Sequence, residues 1–173
     1  DLPFQVTNIF DGYKPVFSNT GEIILRLSNF IVAPNPTGKH AHITWEGDEG
    51  NSQARNSQVE SLKFENTDLT DIGNPSNNQF NGYSNVTGAT SGVDIDEYDI
   101  GNLLTPGATS VNTSYSSGQD AVFLTAELIS VPNEPVANLA IQQTGPSSFP
   151  LGGEGSISIN VNNLGPNTAP INT

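Results

Sequence analysis

GEIILRLSNFIV, residues 21–32, decides the fold. Ile23, Leu25 and Leu27 alternate with Ile24, Arg26 and Ser28, a period of two that suits a strand with one face turned into a core. DAVFLTAELISV, residues 120–131, repeats that period. Ala121, Phe123, Thr125 and Glu127 lie on one side of it; Val122, Leu124, Ala126 and Leu128 lie on the other, with Val131 joining them after a shift. Shorter β-rich runs are KHAHITW (39–45), QVESLKF (58–64), ATSVNTSY (108–115), VANLAIQ (136–142) and EGSISINV (154–161). Gly, Pro, Asn and Asp clusters separate them at intervals that favour a sandwich or jelly roll over alternating α/β units. The expectation is an all-β chain: a jelly-roll-like β-sandwich over 1–131, a short Pro-containing linker at 132–136, and an incomplete immunoglobulin-like β-sandwich segment over 137–173. The prolines of SVPNEPVAN place the boundary, because they stiffen a connection between two strand-like runs.

Composition bounds the function. With 173 residues the chain accommodates one domain and a smaller piece. Charged residues make up only 13%, against roughly 25% in average soluble proteins, so Asn, Ser, Thr and Gln must supply the polar surface. Eighteen acidic residues against five basic ones give a formal charge of -13. That balance argues against nucleic acid as a partner, since phosphate binding rests on Lys and Arg. Carboxylates in excess attract divalent cations in a calcium-rich medium, which fits an extracellular location. Cysteine is absent, so disulfides, thiolate metal sites and a Cys nucleophile are excluded. No apolar run approaches the roughly 20 residues of a membrane-spanning helix, and no signal peptide is visible.

From Asn66 to Gly92 the stretch NTDLTDIGNPSNNQFNGYSNVTGATSG has almost no aliphatic periodicity. A loop of that length in a compact domain is either functional or packed on itself. Leu69, Ile72, Phe80, Tyr83 and Val86 are the residues that would hold it.

Two resemblances attach to these motifs. VANLAIQQTGPSSFPLGGEGSISINVNNLGPNTA resembles the start of the β-sandwich repeat known as domain of unknown function number eleven, found in large bacterial surface and secreted proteins. Ala137 to Ile141, Gly152-Gly153, Ile157 to Asn162 and Gly165-Pro166 carry that likeness. Residues from about Leu2 to Val131 resemble the second half of the large N-terminal β-domain that precedes such repeats. The motifs are Phe10-Asp11-Gly12-Tyr13, Trp45-Glu46-Gly47-Asp48, Asn74 to Asn81, Gly92 to Asp99, Gly107 to Ser110 and Gly118-Gln119-Asp120. Tyr13, Trp45, Gln79 and Val93 depart from the usual residues. The resemblance implies a cell-surface or exported protein with no known enzyme activity, and a chain excised from something longer.

Candidate chemistry rests on carboxylates. WEGDEG places Glu46, Asp48 and Glu49 in a Gly-flexed turn, and VDIDEYD places Asp94 and Asp96 on one face of an extended segment with Asp99 nearby. Glu46, Asp48, Asp94, Asp96 and Asp99 are therefore candidate ligands of a structural Ca²⁺, which takes six to eight oxygens. The competing expectation is that these acids cap turns and face water. An EF-hand is excluded: counting from Asp94 puts Thr105 where its bidentate Glu belongs. His40 and His42 share a strand face, an arrangement zinc can use, but alternation with Ala41, Ile43 and Trp45 is expected to leave them exposed. No Gly-x-Ser-x-Gly elbow accompanies the serines. Three functions remain. The first is a non-enzymatic structural or adhesive module of a surface protein or filament, assembling with other copies or further domains by β-strand addition. The second is a calcium-dependent carbohydrate-binding jelly roll using Tyr83, Tyr98 or Tyr115. The third, a hydrolase, is distant.

Overall fold

A computed structural model describes residues 5–45, 60–118, 121–133, 139–148 and 151–163. Its strands, in chain order, are β1 (Gln5–Val16), β2 (Ile23–Ser28), β3 (Lys39–Trp45), β4 (Ser61–Phe64), β5 (Thr67–Asp68), β6 (Tyr83–Ser84), β7 (Gly88–Ala89), β8 (Val93–Asp99), β9 (Ser110–Ser116), β10 (Val122–Pro132), β11 (Leu139–Thr144) and β12 (Ser158–Asn163). Two four-stranded antiparallel sheets, ordered β1-β10-β3-β8 and β2-β9-β4-β5, form a sandwich-like all-β body. The chain divides into two compact units, Asp1–Glu134 and Pro135–Thr173.

Between the two sheets of the first unit lies one apolar core. Leu25, Leu62, Phe64, Val111 and Tyr115 come from the second sheet, and Val16, Val122, Leu124, Ile129 and Val131 from the first. Burying such side chains is worth about 1.5–3 kcal/mol each, which drives the sheets together. The row expected from residues 21–32 is centred on Leu25, with Ile23 and Leu27 half-buried, and it continues past the strand into buried Phe30 and Val32.

Three details depart from the sequence reading. β1, a twelve-residue edge strand that contains Gly12 and Pro15, is not among the β-rich runs of the sequence reading. An edge tolerates a missing donor, and a register shift between Asp11 and Lys14 absorbs the irregularity. In β10 the register against β3 shifts between Leu124 and Ala126, so Glu127, Ile129 and Val131 turn inward and Leu128 turns out. A bulge adds one unpaired residue and flips every later side chain; here it overturns the expected placement of Glu127. Thirdly, β10 runs into the segment expected to be a linker. Pro132 pairs with Gln5, its carbonyl accepts from Ala33 N at 2.8 Å, and Asn133 bridges to Val32.

The second unit, described by itself, is the β11–β12 hairpin, with Ile141 opposite Val161 and Gln143 opposite Ile159. Directly opposed residues share a face, so Ile141, Ile159 and Val161 form one apolar face, and all three are exposed.

Candidate functional site

Along the inner face of the first sheet the core turns polar. His40, His42 and Thr44 of β3, Asp94 and Asp96 of β8, and Glu127 of β10 are all fully buried. Glu127, His42 and Asp96 occupy one row across three neighbouring strands. The expectation that the histidines face water is thereby corrected: Trp45 shares the outward side of β3 instead, and is half exposed. For His40 and Glu127 local polar company makes the burial tolerable, without which a buried polar group costs about 1–3 kcal/mol. His40 Nε2 stands 3.2 Å from Glu127 Oε1 and 3.4 Å from the Tyr115 hydroxyl. The Thr113 hydroxyl, from the opposite sheet, donates to the same Glu127 oxygen. His42 lies flat against the Tyr98 ring, with centroids 6.5 Å apart at 8°, and meets Phe80 and Tyr115 edge-on.

Asp94 and Asp96 hold the long 66–92 segment in place. Asp94 Oδ1 accepts from the backbone N–H of Asn81 (3.1 Å) and Gly82 (3.0 Å). Asp96 Oδ1 accepts from Asn85 N and from Asn74 Nδ2, both at 2.8 Å. Asp71 closes the first bend by accepting from Gly73 N and Asn74 N, and Asn81 Nδ2 reaches the carbonyls of Gly73 and Asn78. Charge-assisted acceptors of this kind replace the ladder hydrogen bonds that an irregular segment cannot make. Of the apolar residues expected to anchor the segment, Leu69 and Phe80 are buried, whereas Ile72, Tyr83 and Val86 are exposed.

The three candidate calcium ligands among the described residues do not share one face. Asp94 and Asp96 point into the core side by side. Asp99 projects from the other face of β8, where Lys39 Nζ lies 3.0 Å from it and 2.8 Å from Glu97. Glu46 and Asp48 lie outside the described residues. Among the described residues no three His, Asp or Glu side chains surround a common point.

Burial sets the protonation of this face. It pushes Asp94 up to about 6 against its hydrogen bonds from the loop, and Asp96 up to about 7, the latter helped by the neighbouring charges of Asp94 and Asp71. His42 is held well below the ordinary histidine range by burial and by His40. The two aspartates, whose folded values exceed their unfolded ones, stabilise fully below about pH 4, and that contribution is lost as pH rises through 6 and 7. His42 works oppositely: its contribution is present above about pH 6.5 and is lost on acidification. Both aspartate values fall between pH 5.5 and pH 8, so EDTA-treated protein is expected to melt at a higher temperature at pH 5.5 than at pH 8. Asp96→Asn should shrink that difference. A pH dependence identical in the variant would show that general relief of acidic repulsion is responsible instead.

A second feature lies on the outer face of the same sheet. Tyr13 stacks on Phe123 with centroids 5.4 Å apart at 17°, and Phe17 meets Phe123 edge-on at 6.3 Å. Trp45, directly opposite Phe123 in the register, extends the patch onto β3. Tyr13 is 64% and Trp45 50% exposed. The tyrosines expected to present sugar-stacking rings are placed otherwise: Tyr98 and Tyr115 are core residues, and only Tyr83 reaches the surface.

Comparison with protein-family models, curated proteins and solved structures finds no significant match. Neither does any helix among the described residues have the length and apolarity to cross a membrane, a statement about helices alone.

Proposed function

We propose that this chain is a non-enzymatic extracellular module of a bacterial surface protein or filament, structural in build and adhesive through the outer face of its first sheet. The observation that carries the reading is the solvent-facing aromatic patch of Tyr13, Phe17, Trp45 and Phe123. Exposed aromatic clusters on a rigid sheet cost solubility, and contact with a partner is what they serve best. The surface-protein setting rests on the sequence motifs, the absence of cysteine and the excess of acid. A jelly-roll-like first unit belongs to the same proposal, supported by strand neighbours that are non-consecutive in sequence, such as β1–β10 and β2–β9; an immunoglobulin-like second unit rests on the sequence motifs of residues 137–173.

A second reading, calcium-dependent carbohydrate binding, is favoured by the near-parallel Tyr13–Phe123 pair, because flat aromatic surfaces stack against the C–H faces of pyranose rings. Trp45, the sole tryptophan, reports on both readings. Screening glycans with calcium present is expected to change Trp45 emission for a binder, and Tyr13→Ala should weaken that response at least tenfold. Binding of a partner that survives loss of Tyr13 and Trp45 together would remove the patch from the proposal. The hairpin's exposed apolar face and open strand edges suit β-strand addition between copies; light scattering that is unchanged on deletion from Glu134 onward would rule out that mode of assembly.

A further inference from the structure

Beneath the 66–92 segment the polar atoms are unevenly used. Asp94 and Asp96 each spend Oδ1 on the loop, while Oδ2 of each is buried and accepts no hydrogen bond among the described residues, that of Asp96 having His42 Nε2 beside it at 3.5 Å. Asn74 and Gln79 are also fully buried, and each uses only its amide nitrogen: Asn74 Nδ2 donates to Asp96, and Gln79 Nε2 to the Tyr98 hydroxyl. Their oxygens, Asn74 Oδ1 and Gln79 Oε1, are left without a partner, as is Thr44 Oγ1, directly opposite Asp94 in the register. An orphaned buried acceptor is costly, and five buried oxygens without a hydrogen bond, of which Asp96 Oδ2 has a nitrogen at 3.5 Å, call for a shared donor or cation.

We infer that a single hard divalent cation of the calcium class binds between β8 and the 66–92 segment, ligated by Asp94 and Asp96 with the side-chain amide oxygens of Asn74 and Gln79. The donor set selects the metal. Two carboxylates balance a charge of +2, amide oxygens and water complete the six to eight ligands that calcium takes, and the magnesium ion's stricter octahedron fits such a mixed set less well. Zinc would want three or more His, Cys or carboxylate ligands around one point, a grouping absent among the described residues. The inference is independent of the adhesive reading, since the cation lies on the inner face and the aromatic patch on the outer one.

The test uses the whole chain, stripped with EDTA and titrated with CaCl2 while its melting temperature is followed. Terbium then replaces calcium, with emission excited through tyrosine, since Tyr98 touches the Gln79 ligand. Weak extracellular calcium modules bind at about 10⁻⁴–10⁻³ M, so titration to about 10 mM is sufficient. A melting temperature that rises with calcium, and terbium emission that free calcium displaces, are expected. Asp96→Asn, which keeps an oxygen for Asn85 N, should lose both, and Asp99→Asn, on the opposite face, should keep both. No calcium response from the wild-type chain at 10 mM overturns the inference whether or not the variants fold. Loss of the response in Asp99→Asn with retention in Asp96→Asn overturns it equally.

Discussion

Phe80→Ala is expected to destabilise the first unit by about 3–5 kcal/mol, out of a total that for such domains is about 5–15 kcal/mol. Phe80 belongs to a long, largely irregular stretch, where truncation of a large side chain would ordinarily be tolerated. Here its ring is fully buried, lies nearly parallel to Tyr115 at 6.2 Å and stands edge-on to His42 at 6.0 Å. The cost has two sources: the transfer energy of a large ring and the cavity left between two sheets that cannot collapse onto it. A further consequence is local. The N–H groups of Asn81 and Gly82, which Asp94 accepts, follow Phe80 immediately, so losing the ring loosens the clasp as well. Urea unfolding decides it: a loss below about 1 kcal/mol would mean that the segment is not part of the folding unit. Ile72→Ala in the same segment should be nearly silent, because Ile72 is exposed.

The contrast between Phe80 and Ile72 marks what periodicity reveals and what it does not. Strands with an unbroken period of two were legible: residues 39–45 form β3 with those bounds, and Leu25 and Leu62 point inward as their neighbours require. Two of the illegible features share a cause, namely a backbone irregularity without a distinctive residue. The bulge in β10 carries no Gly and turns Glu127 from surface to core. The two-residue turn between β4 and β5 places Glu65 and Asn66 at φ 48 and 66, a left-handed pair that ordinarily announces itself by Asn-Gly or Asp-Gly. Asp94 and Asp96 were legible as a pair on one face, but which face depended on His42 and Thr44 being buried across from them. An alternating His-Ala-His-Ile-Thr-Trp run does not reveal that, because polar residues go inside only where partners from distant parts of the chain await them.

Glu127 supplies the second large effect. Its carboxyl group joins the sheets: Thr113 of β9 donates to Oε1, and His40 of β3 approaches the same oxygen at 3.2 Å. Replacing Glu127 alone by Leu strands a buried hydroxyl and a buried imidazole, and each buried polar group left without a partner costs about 1–3 kcal/mol. Replacing both partners removes the group that would otherwise be stranded, so Glu127→Leu with Thr113→Val should recover a large part of the loss, leaving His40 with the Tyr115 hydroxyl as its neighbour. Glu127→Gln, which keeps an oxygen for Thr113, should fall between. The double-mutant cycle of Glu127→Leu and Thr113→Val is expected to give a coupling energy of about 1–3 kcal/mol, whereas sites that do not interact add within about 0.5 kcal/mol. Additivity would mean that the sheets are held by apolar packing alone and that the polar row is a tolerated inclusion. Coupling would place part of the sandwich's specificity in that row. An apolar core accepts many registers, whereas one in which Thr113 must meet Glu127 penalises any slip of β9 against β10 by leaving both buried and unpaired.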